Sequence, residues 1–157
     1  MTAIIGWREW VGLPDLGVGA VKAKIDTGAR SSSLHAWDVE EIDGGAGPAR
    51  VRFVLHPAQR DLSPTVVAEA DLIGMRDVRS SNGEVESRPV IRTTLVLAGR
   101  SWPIELTLTR RDQMGFRMLL GRRALRRRFV IDPGVSFVAG GSTLAPSHAA
   151  GADAELV

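Results

Sequence analysis

The sequence predicts an all-β domain, a closed barrel or a sandwich of short strands. Three observations support this. Apolar and polar residues alternate over short segments such as Val51-Arg52-Phe53-Val54-Leu55 and Pro89–Leu97, which is the period of a half-buried strand. Gly, Pro and Asn-Gly turn signals punctuate those segments at regular spacing. One stretch alone, Arg122–Arg128, carries helix formers without a breaker, enough for one or two turns.

The elements follow in order along the chain. Ala3–Trp10 opens it as an apolar segment with Trp7 and Trp10. A turn at Gly12-Leu13-Pro14-Asp15 leads into a strand ending at Asp26, with Val18, Ala20, Ala23 and Ile25 in it. Trp37–Ile42 is a short strand closed by the loop Asp43–Pro48, and Val51–Leu55 is a strand stopped by Pro57. Residues 57–65 are loop-like, and Val66–Met75 is the next strand. Asn82-Gly83, between Val78 and Val85, is the strongest short hairpin signal in the chain. Pro89–Leu97 and Trp102–Thr109 pair about the turn Ala98-Gly99-Arg100. Met118-Leu119-Leu120-Gly121 is a short apolar strand, followed by the helical Arg122–Arg128 and a last strand at Phe129-Val130-Ile131. From Gly140 onward the residues are small and polar, so 1–139 reads as one domain and 140–157 as a disordered tail.

Composition narrows the class. With 157 residues, 44% hydrophobic and 24% charged, the chain can bury a core and reads as soluble and globular. No apolar run approaches the roughly 20 residues a membrane helix needs. The first ten residues lack the charged-then-apolar order of a signal peptide, and a cytoplasmic location is the default expectation. There is no cysteine, which excludes disulfides, a thiol nucleophile and thiolate metal sites. The net charge of +2 hides a basic segment. Arg110, Arg111, Arg117, Arg122, Arg123 and the run Arg126-Arg127-Arg128 stand against only Glu105 and Asp112. That segment reads as a solvated face or as an attractor for an acidic partner. Nucleic acid is not favoured, because aromatics make up only 5% of the chain and none is interleaved with the basic residues for stacking.

The chemistry-bearing stretch is Lys24-Ile25-Asp26-Thr27-Gly28-Ala29-Arg30-Ser31-Ser32-Ser33-Leu34-His35. An apolar strand runs straight into Asp-Thr-Gly-Ala, which sets a carboxylate at a strand end beside a hydroxyl and a residue without a side chain. Pushed against a second carboxylate, it would share one proton and activate water. The motif also makes an ordinary turn. It occurs once, so a dyad needs two copies of the chain.

The order of elements around that motif resembles the retropepsin-like aspartic proteases over roughly residues 17–128. Asp26-Thr27-Gly28-Ala29 is followed by a hairpin tip at Ser80–Gly83, two paired strands, and Leu119-Leu120-Gly121-Arg122 with a short helix. More narrowly the chain resembles the bacterial group labelled "ATP-dependent zinc protease", which is associated with ATP-grasp glutamate ligases. The blocks that carry this are Ile5–Val11, Lys22–His35, Val78–Gly83, Glu86–Ile91, Trp102–Glu105 and Met114–Ala124. The resemblance implies a closed barrel with a hairpin flap and one short C-terminal helix. It implies a homodimer in which each subunit gives one Asp26, Thr27 holds the two loops together and Gly28 allows close approach. Ser80, Ser81, Asn82 and Gly83 would form a mobile flap tip over an extended peptide.

In retroviral members an acidic residue follows the motif, whereas here it is Arg30. With Arg122 after Leu-Leu-Gly, two guanidiniums are expected near the cleft, and Ala29, Arg30 and Arg122 join the flap tip as substrate-binding candidates. Cations there oppose the shared proton but suit a substrate that carries carboxylates, such as a glutamate-tailed peptide. The segment Leu34–Val78 is longer than in the minimal retroviral enzyme and is expected to cover the cleft or the dimer surface.

The group label raises zinc and ATP. His35, His56 and His148 are the only histidines and lack the His-Glu-x-x-His spacing of a zinc helix. No Gly-rich Lys-Ser/Thr loop is present for ATP. The set His35, His56 and Asp26 is the one zinc candidate, and no cofactor is expected. The four tryptophans read as core or dimer interface. Arg79, Glu84, Glu86 and Arg88 read as cross-strand charge pairs around the hairpin. Two functions follow: a homodimeric aspartic endopeptidase, or a non-catalytic module of the same fold serving a glutamate ligase or ribosomal-protein modification.

Overall fold

The computed structural model describes residues 2–42, 45–58, 65–79, 82–110 and 115–139. The tail at 140–157 and the flap residues Ser80 and Ser81 lie outside them. The strands are β1 (Ala3–Gly6), β2 (Arg8–Leu13), β3 (Val18–Ile25), β4 (Ser32–His35), β5 (Trp37–Ile42), β6 (Arg50–Leu55), β7 (Val66–Arg79), β8 (Val85–Leu97), β9 (Arg100–Thr109), β10 (Met118–Leu120) and β11 (Phe129–Asp132). One α-turn, α1 (Arg122–Leu125), precedes β11, and a 3-10 turn at Pro14–Leu16 joins β2 to β3.

Six strands in the order β2-β3-β10-β4-β9-β8 close into a barrel, because Gly12 of β2 pairs with Val96 of β8. A barrel of six strands is narrower than the eight-stranded kind whose interior is just filled by side chains. Its interior here is solid with Val11, Leu13, Val21, Leu95, Leu106, Met118 and Leu120, all nearly or fully buried. Closure leaves no open edge among these six strands. From β8 the sheet continues outward as β7-β6-β5, a meander of antiparallel strands.

The alternation in Arg50–Leu55 is matched by burial of Val51, Phe53 and Leu55. The Asn-Gly hairpin is present with Gly83 at φ 88, a left-handed value that suits glycine. Its arms are longer than the sequence suggests, since β7 runs on past Met75 to Arg79. Three local expectations change. Gly12 and Leu13 belong to β2, so the turn starts at Pro14. The helix stops at Leu125, because Arg126 is extended and Arg127 has φ 68. Ser32–His35, which has no apolar alternation, is a fully buried strand.

The first and last described segments are tied to the barrel. β1 pairs in parallel with β11, with Ile4 opposite Val130. Beyond β11 the backbone docks on β2: Trp7 N–H donates to Val135 O at 3.0 Å, and Phe137 N–H to Arg8 O at 3.0 Å. Glu9, fully buried, accepts from the N–H groups of Gly6 (2.6 Å), Val138 (3.1 Å) and Ala139 (3.2 Å). A buried carboxylate is tolerated only when hydrogen-bonded in this way.

Candidate active site

Asp26 directly follows β3, and the loop from it to β4 is held by the strand between them. β10 runs parallel to β3 and antiparallel to β4, so it sits in the fork that the loop joins. Asp26 N–H donates to Leu120 O at 2.8 Å, and Arg122 N–H donates to Ala29 O at 2.8 Å. Arg123 N–H donates to Arg30 O at 3.1 Å, and Gly121 N–H to Ser32 Oγ at 3.0 Å. Buried Ser32 is therefore a partner of the Leu-Leu-Gly segment, which explains a polar residue in a buried strand.

Glycine is required at 121 by contact. A Cβ there would lie 2.4 Å from Ser31 O and 2.8 Å from Ala29 O. Inside the loop, Gly28 N–H donates to Asp26 Oδ1 at 2.9 Å and orients the carboxylate. The Arg122 guanidinium donates to Thr27 O and Gly28 O, each at 3.2 Å. Asp26 is half-buried, while Thr27 and Gly28 are exposed at the loop tip.

Asp26 opens into a cleft of about 640 Å³. Ala29 and Arg30 share it, Leu119 and Thr107 line it, and Arg76–Arg79 of β7 with Arg88 of β8 form a wall. Five guanidiniums (Arg30, Arg76, Arg79, Arg88 and Arg123) stand against Asp26 and Asp77. That excess makes the cleft a site for anions. A second groove of about 760 Å³ shares Ser31, Ser32, Arg76 and Arg123 with the first and reaches Arg126, Arg127 and Arg128.

Of the residues singled out in the sequence, the cleft gathers Asp26, Ala29 and Arg30. Thr27, Gly28 and Arg122 make up the loop and its clamp. Asn82 and Gly83 sit at the hairpin end, where Asn82 Oδ1 accepts from Glu84 N–H at 3.1 Å and Gly83 O accepts from Arg79 at 3.0 Å. The hairpin contributes its arm to the cleft rather than these two tip residues. Among the described residues of the long segment Leu34–Val78, the β7 end reaches the cleft and β5 and β6 do not. Arg88 pairs along its own strand with Glu86 at 3.0 Å rather than across the hairpin.

Sequence reading missed Arg76 and Arg123 and gave Arg88 a different role. The signal for Arg88 was its place in the block Glu86–Ile91; what it faces depends on hairpin register.

The zinc candidate does not fit. The His35 ring stacks on Trp37 at 4.0 Å, and His56 packs edge-on against the same indole at 4.4 Å. The Arg117 guanidinium lies 5.1 Å from that ring and 3.4 Å from His35 Nδ1, bringing a cation to where a metal would need donors. These residues line a small separate cavity, and Asp26 lines the cleft. The three groups do not converge.

A barrel that presents Asp-Thr-Gly at a strand end, clamped by a Leu-Leu-Gly strand in its fork and walled by a hairpin arm, is a retropepsin-like aspartic protease fold. The chain belongs to the RimB-like family, described as "Retropepsin-like aspartic endopeptidase RimB", which it matches over residues 4–141. It is 46% identical over 137 residues to a probable alpha-L-glutamate ligase of Shewanella halifaxensis, covering 87% of this chain and 30% of that protein. It is 48% identical over 131 residues to a protein of the same description from Parasynechococcus marenigrum, covering 83% and 28%. The chain thus spans less than a third of the length of these relatives. The crystal structure of Lpg0085 from Legionella pneumophila, a protein of unknown function, superposes with a TM-score of 0.73 at 29% identity, covering 88% of this chain and 99% of that one.

Proposed function

We propose that the chain is an aspartic endopeptidase that works as a homodimer on acidic, glutamate-rich peptides. The observation that carries this is Asp26 itself: a carboxylate oriented by Gly28 N–H, half-buried at the floor of a cleft with an excess of arginines. A lone solvated carboxylate is a weak base at neutral pH. Two brought to about 3 Å share one proton, so that the ionised one takes a proton from water while the protonated one donates to the scissile carbonyl. The exposed Thr27 and Gly28 at the loop tip leave the loop accessible to its two-fold mate. Ala29 and Arg30 border the reacting bond, Arg122 holds the loop, and the flap with Ser80, Ser81, Asn82 and Gly83 closes over the peptide.

A second reading has its own support. The chain matches under a third of proteins named probable alpha-L-glutamate ligase, so a domain of this kind also occurs joined to a ligase. In that reading it is a module that presents acidic chains to a ligase without cutting them. Both readings place the protein in the cytoplasm with a carboxylate-rich partner.

The deciding test incubates a glutamate-tailed peptide with the protein and with Asp26→Asn, with mass spectrometry of products and the oligomeric state measured in the same buffer. Cleavage that needs both the dimer and Asp26 establishes the peptidase. Tight binding by a well-folded dimer without cleavage favours the module.

A further inference from the structure

Most charged residues that lie opposite another charge in the sheet face one of the opposite sign. Arg50 lies opposite Asp71 and pairs at 2.6 Å, Arg52 lies opposite Glu69 at 3.1 Å, and Arg92 lies opposite Glu105 at 3.9 Å. Two positions of the sheet depart from this pattern, Arg8 of β2 opposite Lys24 of β3 and one that lines the cleft. Arg76 of β7 lies directly opposite Arg88 of β8, and both line the Asp26 cleft. Like charges set opposite one another weaken a sheet. Arg88 is also only 5% exposed, and a buried guanidinium is unfavourable unless fully paired.

The available carboxylates do not balance this cluster. Glu86 serves Arg88, and Glu105 serves Arg76 at 2.9 Å while also facing Arg92. Two carboxylates therefore meet three guanidiniums, and with Asp26, Asp77, Arg30, Arg79 and Arg123 of the cleft included, four carboxylates face six guanidiniums.

We propose that Arg76 and Arg88 form a carboxylate-binding subsite in the wall of the cleft, which takes one acidic side chain of an extended peptide lying across Asp26. The proposal rests on the reading of this cleft as a peptide site. Arginine presents parallel N–H groups that match both oxygens of a carboxylate, whereas the amide of glutamine offers one oxygen and no charge. Replacing glutamate by glutamine at that one peptide position should weaken binding about ten- to hundred-fold.

The test uses the full chain carrying Asp26→Asn, so that binding is read without cleavage. Fluorescence anisotropy would follow an oligoglutamate peptide and its single Glu→Gln variants. One peptide position should show the loss, and adding Arg76→Gln should abolish the loss there while leaving the other positions unchanged. Arg76 is partly exposed (34% of its side chain), so its replacement spares the core; Arg88→Lys, checked for folding by circular dichroism, is the companion. The proposal is overturned if the folded protein binds no oligoglutamate, or if the same position still discriminates in both variants. A protein that shows the position-specific loss yet cleaves nothing would keep the subsite and remove the peptidase reading. Cleavage of the peptides without that loss would do the reverse.

Discussion

The Arg122 guanidinium donates from one nitrogen to the carbonyls of Thr27 and Gly28, at 3.2 Å each. A side chain on α1 thereby grips the tip of the loop that carries Asp26. This makes Arg122 a positioning residue by geometry, with its charge spent on main-chain oxygens. Arg122→Gln should lower kcat about ten- to hundred-fold through loss of charged hydrogen bonds, with the preference for Glu over Gln peptides unchanged. Steady-state kinetics on a matched Glu/Gln peptide pair checks this. A collapse of the preference would instead place Arg122 on the substrate.

Gly121 has no room for a side chain. A methyl group would sit 2.4 Å from Ser31 O, a backbone atom that cannot swing away. Gly121→Ala must push the start of α1 off the loop, breaking the bonds from Arg122 N–H to Ala29 O and from Gly121 N–H to Ser32 Oγ. The expected loss is about 2–4 kcal/mol of stability, read as a lower urea midpoint. An unshifted midpoint would show that the contact relaxes freely.

Glu9 ties the chain after β11 to β2 through three N–H donors. Glu9→Gln keeps the shape but turns one acceptor into a donor, so at least one N–H faces another donor. That should lose about 1–3 kcal/mol and lower Tm by several degrees. Hydrogen exchange at Val138 and Ala139 should speed up before the barrel strands do. Equal acceleration everywhere would make Glu9 a plain core residue.

The cleft's arginine excess implies salt-sensitive binding. Raising ionic strength from about 0.05 M to about 0.5 M shortens the screening length several-fold. KM for a glutamate peptide should then rise severalfold while that for a neutral peptide stays level. Equal salt effects on the two would mean that the guanidiniums are satisfied within the protein.

Much of this was legible in the chain because the signals are local. Strand alternation in Arg50–Leu55, the Asn82-Gly83 turn and Asp-Thr-Gly after an apolar strand each lie within a few residues. What was hidden depends on residues brought together from afar. Ser32 reads as loop until Gly121 is seen to use its hydroxyl, 89 residues away in sequence. The burial of Glu9 depends on the segment at Val138 and Ala139, which donates to it from 129 and 130 residues away. Arg76 and Arg88 acquire meaning only from the hairpin register, which a one-residue slip would invert. The helix was overestimated because propensity favoured it through Arg128, while Trp102 Nε1–H takes Ala124 O at 3.1 Å and the backbone turns out at Arg127.

A dimeric site would have a quantitative signature. If each site needs one Asp26 from each subunit, a heterodimer with an Asp26→Asn subunit has one carboxylate and one amide and cannot share a proton. Activity on mixing wild-type and Asp26→Asn chains, after subunit exchange, should fall as the square of the wild-type fraction, to about one quarter in an equal mixture. A chain that works alone gives a linear fall, to about one half, since each wild-type subunit then carries a complete site. Specific activity of the wild-type protein should also drop on dilution below the dimer dissociation constant and return when its concentration is restored. The two curves lie furthest apart at the equal mixture. A linear curve there would leave Asp26 without a partner carboxylate, and the shared-proton mechanism would have to be abandoned.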